Sequence, residues 1–174
     1  EYAEECAKFL KEHFDKEISL KEDNLNDAEK YYERGFEKLQ LEDFEGAIDN
    51  YTRAIEINPN FADAYYDRGS LKAQLEDYKG AIADLTKVIE IDPKDIEAYH
   101  KRGNTKGKLG DYQGAIDDHT KAIELNPSDD SYYKRALAKV VSEDNEGAIS
   151  DFNKAIEINP NFADAYYFRG SLKS

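Results

Sequence analysis

Three histidines, one cysteine and 38 carboxylates are the side chains with which this chain could do acid–base, nucleophilic or metal chemistry. Their spacing argues against each. His13, His100 and His119 fall in different segments. Cys6 shares a helical face with His13, seven residues on, and no metal is expected on that pair. There is no phosphate-binding glycine loop, no paired-cysteine motif and no His-Glu metal signature on a helix. Carboxylates on helical surfaces serve solvation first, and no two stand out as an acid–base couple. The residues read as non-catalytic, with no catalytic set, no cofactor and no metal.

What recurs instead is opposite charge. Arg34, Arg68, Arg102, Arg135 and Arg169 each precede a lysine by four residues: Lys38, Lys72, Lys106, Lys139 and Lys173. Residues four apart share a helix face. Further along stand Asn50, Asp84, Asp118 and Asp151 at one shared position. Two chemistries fit. One is a stabilising ladder between basic first helices and acidic second helices. The other is a basic strip for an acidic ligand.

The elements that position these charges follow from the prolines. Pro59, Pro93, Pro127 and Pro160 are spaced by 34, 34 and 33 residues. Gly35, Gly69, Gly103 and Gly170 keep the same beat, as do Gly46, Gly80, Gly114 and Gly147. Residues 54–73 reappear as 155–174, differing only at Asp67/Phe168 and Ala73/Ser174. A fixed period of this length means a repeat architecture. Each unit reads as two helices. In the second unit, Asn60 with Asp63 predicts a capping-box-like start, and Asp77 an N-cap. Tyr78, Ala81, Ile82, Leu85, Val88 and Ile89 then form one apolar stripe. Pro93 ends it.

Composition sets outer limits. The chain has 174 residues, 24 Lys and Arg, and a net charge of −14. That charge repels phosphate backbones and anionic lipid, so nucleic acid and membrane insertion are not expected. No apolar run is long enough to span a membrane. Thirteen tyrosines and eight phenylalanines argue against disorder. One cysteine allows no intrachain disulfide. The cytoplasm is the expected compartment. The chain contains no methionine, which suggests a fragment or a processed form.

These motifs resemble the tetratricopeptide repeat family. Its pattern is an aromatic, a small residue four later, then alanine, aromatic, alanine and proline. It occurs here as Tyr31, Gly35, Ala47, Tyr51, Ala54, Pro59 and again as Tyr65, Gly69, Ala81, Leu85, Val88, Pro93. The third copy is Tyr99, Gly103, Ala115, His119, Ala122, Pro127, and the fourth Tyr132, Ala136, Ala148, Phe152, Ala155, Pro160. Tyr166 and Gly170 begin a fifth. The resemblance implies an all-α, right-handed helical-repeat solenoid of antiparallel helix pairs. Repeats are expected at 28–61, 62–95, 96–128 and 129–162, with a partial fifth at 163–174. His119, at a core aromatic position, is expected to be a satisfied interior histidine. The fourth unit is expected to pack more loosely or in a shifted way and to be the candidate for early opening, because its entry is one residue shorter, Ala136 replaces glycine and Asn145 stands where Phe44, Tyr78 and Tyr112 stand.

In the resembled family the first helices line a concave groove that holds a peptide. Carried over by repeat position, one groove column is Tyr32, Tyr66, His100, Tyr133 and Tyr167. A second is Glu29, Asp63, Glu97, Asp130 and Asp164. A third changes sign: Glu33, Asp67, Lys101, Lys134, Phe168. A fourth is Phe36, Ser70, Asn104, Leu137 and Ser171. Tyrosine columns supply amphipathic contact area, though they also arise from packing alone. The acidic column favours Lys or Arg on a partner. Some family members clamp acidic chaperone tails with Lys and Asn. The matching positions here are Tyr32, Phe36, Asp67, Glu97 and Lys101 or, one repeat on, Tyr66, Ser70, Lys101, Asp130 and Lys134, and neither set reproduces that clamp.

Residues 1–27 lie outside the repeat. Tyr2, Cys6, Phe9, Leu10 and Phe14 share one helical face, so a helical cap on the first repeat is expected, with a remnant repeat as the alternative. After Tyr166, Phe168 and Leu172 no second helix follows. The natural chain continues there, or the helix is a cap, or its face meets another molecule, continuation being the expectation. The function expected is a non-catalytic protein-interaction scaffold holding a peptide that is not strongly acidic. The alternative is a self-assembly module joining end to end through the open C-terminal repeat.

Overall fold

A computed structural model describes residues 25–172 together with His13 and Lys16. The cap residues Tyr2, Cys6, Phe9, Leu10 and Phe14 lie outside the described residues. So do Lys173 and residues 18–24 of the stretch Ile18–Asp27, expected to be a connector; residues 25–27 of it are helical. The described residues are all-α, a helical-repeat solenoid of paired helices. α1 covers 25–40. It is followed by α2 (Phe44–Ile57), α3 (Ala62–Gln74), α4 (Tyr78–Ile91), α5 (Ile96–Leu109) and α6 (Tyr112–Leu125). α7 (Asp129–Val141), α8 (Asn145–Ile158) and α9 (Ala163–Ser171) complete the set. The chain divides into two compact units, Glu1–Ala64 and Tyr65–Ser174.

Local chemistry sets each helix boundary. Asp43, Asp77, Asp111 and Asp144 cap α2, α4, α6 and α8, each carboxylate accepting from the glycine N–H three residues on. Glycine leaves that carboxylate room to sit where it does. A Cβ at Gly80 would crowd the Asp77 carboxylate, which would have to shift. At the other end, proline forces the preceding residue out of the helical region. Asn58, Asp92, Asn126 and Asn159 are accordingly extended. The capping box expected at Asn60 is not formed. Asn60 instead donates its N–H to the Asn58 side chain at 3.1 Å, in a turn around Pro59. α3 starts two residues later, at Ala62.

The turn inside each pair needs one left-handed residue. Gly110 takes it at φ 91°, but Glu42, Glu76 and Glu143 take it at 58°, 65° and 66°. A Cβ disfavours this conformation by about 1 kcal/mol, which glycine avoids. Glu143→Gly is therefore expected to stabilise the chain by about 0.5–1 kcal/mol in chemical denaturation. An unchanged or lowered midpoint would contradict this.

Charge pairing then locks each helix pair in the second unit. Arg68 grips Asp84 through Nε and Nη2, at 2.9 and 2.6 Å, and Lys72 adds 2.8 Å. Arg102 and Lys106 hold Asp118 at 2.7 and 2.9 Å. Arg135 and Lys139 hold Asp151 at 2.7 and 2.8 Å. All three carboxylates are buried. The basic residues thus form the ladder, not an open strip. Arg102 also donates to Thr86 of the preceding pair at 3.1 Å, and Arg135 to Thr120 at 3.2 Å. In the first unit the ladder lapses. Asn50 donates to its own helix at Gly46 O, and Lys38 turns to Asp43 at 2.8 Å.

Small residues let the paired helices approach. In the first unit a Cβ on Gly35 would sit 2.6 Å from the buried Tyr51 ring. In the second, Gly69 faces Leu85 and Gly103 faces His119. The fourth pair does not show the expected looseness. Ala136, Ala148, Ala155 and Ala165 leave room for a fully buried Phe152. Tyr133, Phe162 and Phe168 close around that cluster. Asn145 is exposed, at the position where Phe44 and Tyr78 are half-buried and Tyr112 is exposed.

Candidate functional site

In the Glu1–Ala64 unit the tyrosine column begins at Tyr32. Its half-buried ring packs 5.6 Å from Tyr51 and 5.0 Å from Phe61. Glu29, Phe36 and Asp63 are exposed, Phe36 by 51%.

The Tyr65–Ser174 unit carries the richer face. Tyr66 and Tyr133 are half-buried and Tyr167 is 72% exposed. Tyr133 is anchored from below by Phe152, Phe162 and Phe168, with centroids at 5.9, 4.8 and 6.1 Å. Lys101 lies over the Tyr66 ring, 5.9 Å from its centroid. Lys134 pairs with Asp130 one turn earlier. Glu97, Asn104, Asp130 and Asp164 face solvent. Burial raises the Tyr66 phenol above its ordinary value, and Glu97, Asp95 and Asp67 raise it further. Burial likewise raises Tyr133, with Asp164 and Asp130 adding to it. Both phenols stay neutral and keep a hydrogen to donate, in a field that repels anions.

His100 does not join this face. It is 3% exposed, beneath the surface its column position suggested. Its Nδ1 lies 3.1 Å from Nδ1 of His119, and its Nε2 lies 2.9 Å from Ser131 Oγ. Ser128 Oγ donates to Ser131 Oγ at 2.8 Å. Donation from Ser128 to Ser131 to His100 to His119 uses one hydrogen at each link. Burial, followed by the Lys134 charge, lowers His100 below the usual imidazole range. Burial and His100 lower His119 to about 4. His119 is the satisfied interior histidine expected. The role of Ser131 was missed from sequence. Its signal is that His100, His119 and Ser131 are polar together, where the preceding pair has Tyr66, Leu85 and Ala98.

No helix among the described residues is long and apolar enough to cross a membrane. The site offers a partner aromatic area, neutral phenol donors and exposed carboxylates.

Family models described as TPR repeat match residues 35–75, 69–110 and 142–173, and one described as tetratricopeptide repeat matches 96–129. No curated protein matches the chain. Among solved structures, the crystal structure of MamA protein is 30% identical at a TM-score of 0.77, covering 83% of this chain and 80% of that one. YrrB, titled a TPR protein with an unusual peptide-binding site, is 24% identical at 0.72, covering 89% and 80%. The first TPR of Spaghetti (RPAP3), bound to the HSP90 peptide SRMEEVD, is 24% identical at 0.60, covering 64% and 90%. The last two likenesses are of fold.

Proposed function

This chain belongs to the tetratricopeptide repeat family, and we propose that it is a non-catalytic scaffold whose tyrosine face holds a basic peptide segment. A protein-interaction scaffold is the coarse function that the family and the solved relatives support. The finer reading rests on one observation. In the Tyr65–Ser174 unit, exposed Glu97, Asp130 and Asp164 stand beside partly open Tyr66 and Tyr133. Tyrosine contributes contact area at small entropic cost, and carboxylates select Lys or Arg by complementarity. Tyr66, Tyr167, Glu97, Asp130 and Asp164 are the residues expected to touch the segment. Tyr133 supports the face through its ring packing. His100 contributes only from below.

Random-peptide display against the immobilised chain tests this. Enriched peptides are expected to be rich in Lys or Arg, and to bind more weakly as salt rises. Tyr66→Ala combined with Tyr167→Ala is expected to weaken them at least tenfold with the helical circular dichroism unchanged. Enrichment of acidic peptides, or equal binding to the double variant, would overturn the reading. Concentration-dependent sedimentation without peptide selection would favour self-assembly.

A further inference from the structure

Successive helix pairs of the Tyr65–Ser174 unit join at seams that the repeat builds from three positions. The seam before α5 carries Tyr66, Leu85 and Ala98, and the seam before α9 carries Tyr133, Phe152 and Ala165. Leu85, Ala98, Phe152 and Ala165 are fully buried, so carbon packing closes both. The seam before α7 carries His100, His119 and Ser131 at the same positions. These are just as dry, at 3%, 2% and 1% exposed. Here hydrogen bonds do the closing: Nδ1 to Nδ1 at 3.1 Å within the pair, and His100 Nε2 to Ser131 Oγ at 2.9 Å across the seam.

What lies beyond this seam can leave as one body. The core cluster of Ala136, Ala148, Phe152, Ala155 and Ala165 is drawn from α7, α8 and α9. Within that block Arg135 and Lys139 hold Asp151, and Asn159 donates to Asp129 at 2.7 Å. The side-chain hydrogen bonds that cross to α5 and α6 include the His100–Ser131 contact and Arg135 to Thr120 at 3.2 Å. His100 can sit against His119 only while one of the two Nδ1 atoms is bare.

We propose that the seam before α7 is an acid-labile joint, at which α7–α9 part from α5 and α6 as one block when His100 and His119 take up protons, while the neighbouring seams hold. A first proton puts a cation out of water, and a second sets two N–H groups against each other. The charges facing the rings do not offset this. Glu97 from α5, Asp118 from α6 and Asp130 from α7 favour protonation, and Lys134 from α7 opposes it. Asp118 is already held by Arg102 and Lys106, and Asp130 by Lys134. α4 and α8 keep their buried Asp84 and Asp151 on their own Arg–Lys pairs. Burial is the larger cause, and it holds both imidazoles neutral in the closed seam. Opening returns them to water and to the ordinary value of 6.5. Their contribution to closure is complete above that value and is lost as pH falls. Each pH unit below it raises the open population by up to about tenfold per freed histidine.

On the reading of the tyrosine face proposed above, the joint has a use. Tyr66 and Glu97 lie before the seam, and Asp130, Asp164 and Tyr167 beyond it. Opening divides the face and releases a segment held across it.

Native-state hydrogen exchange of the full chain, read by mass spectrometry with no peptide present, tests the joint independently of that reading. Protection factors in α7–α9 are expected to fall at least tenfold from about pH 7 to about pH 5, while those of α3 and α4 hold. The triple variant His100→Tyr, His119→Leu, Ser131→Ala installs the residues of the seam before α5 and should abolish the fall. Ser131→Ala alone introduces the alanine of the other two seams. It should lower α7–α9 protection at about pH 7 by several-fold, because the bond across the joint is gone. Parallel loss in α3 and α4 would mean global unfolding and would overturn the proposal. So would a fall of equal size in the triple variant, or parental protection in Ser131→Ala.

Discussion

Asp118→Ala is expected to lower unfolding stability by about 3 kcal/mol, read by chemical denaturation at neutral pH. The Asp118 side chain is 4% exposed and holds both Arg102 and Lys106, themselves 15% and 19% exposed. Removing it leaves two neighbouring cations with no counter-charge, and unpaired buried charge costs about 3–5 kcal/mol. The lysine stem can carry its ammonium toward water, which places the effect at the lower end. Arg102 also loses the anchor that aims it at Thr86 of the preceding pair. The transition should therefore broaden, because solenoid stability sums repeat and neighbour terms. Replacing the three together (Arg102→Met, Lys106→Met, Asp118→Leu) should recover most of the loss, since apolar packing substitutes for a buried triad. A contrasting control is Glu124→Ala. Its pair with Lys121 is more than half exposed at both ends, so a change within about 0.5 kcal/mol is expected. Equal losses for Asp118→Ala and Glu124→Ala would show that the ladder does not stabilise the pairs.

Acidification is expected to remove about 3 kcal/mol through His119 alone between pH 6.5 and pH 4. The folded value is depressed, from the ordinary 6.5 to about 4. In that window the unfolded chain binds the proton and the folded chain does not. The contribution is thus complete above pH 6.5 and falls away as pH drops through the folded value. Geometry gives the cause. An Nδ1–Nδ1 hydrogen bond of 3.1 Å needs one bare nitrogen, and full protonation would set two N–H groups against each other. Asp118, Asp130 and Glu97 offset part of this, while Lys134 adds to it. The triple variant His100→Tyr, His119→Leu, Ser131→Ala installs the residues of the preceding pair and should flatten the pH dependence in this window. If variant and parent lose stability in parallel, surface carboxylates are responsible and the histidine account fails.

The repeat, its helix pairs and the charge ladder were legible in the residues because each depends on local periodicity. A 34-residue beat of Pro and Gly defines the units, and Arg and Lys four apart must share a helix face. Where a unit places an aspartate at that position of its second helix, as with Asp84, Asp118 and Asp151, antiparallel pairing brings the charges together. The Asn60 start was misjudged because Asn58 competes for the same N–H, a contest that composition does not decide.

Where tertiary structure decided the outcome, several elements act on one residue. His100 holds the column position of Tyr66, so helical period alone puts both on one face. It turns inward because α6 supplies His119 and α7 supplies Ser131, which give both nitrogens of the buried His100 ring a partner. The fourth pair is tight for a similar reason: four alanines, on α7, α8 and α9, leave the volume that Phe152 fills. The same logic separates α3 from α9. Their sequences match almost residue for residue, yet Gly69 is buried and Gly170 is open. Gly69 packs against α4, and among the described residues nothing lies against Gly170. Burial belongs to the neighbours a side chain meets, so no pattern within a single helix can specify it.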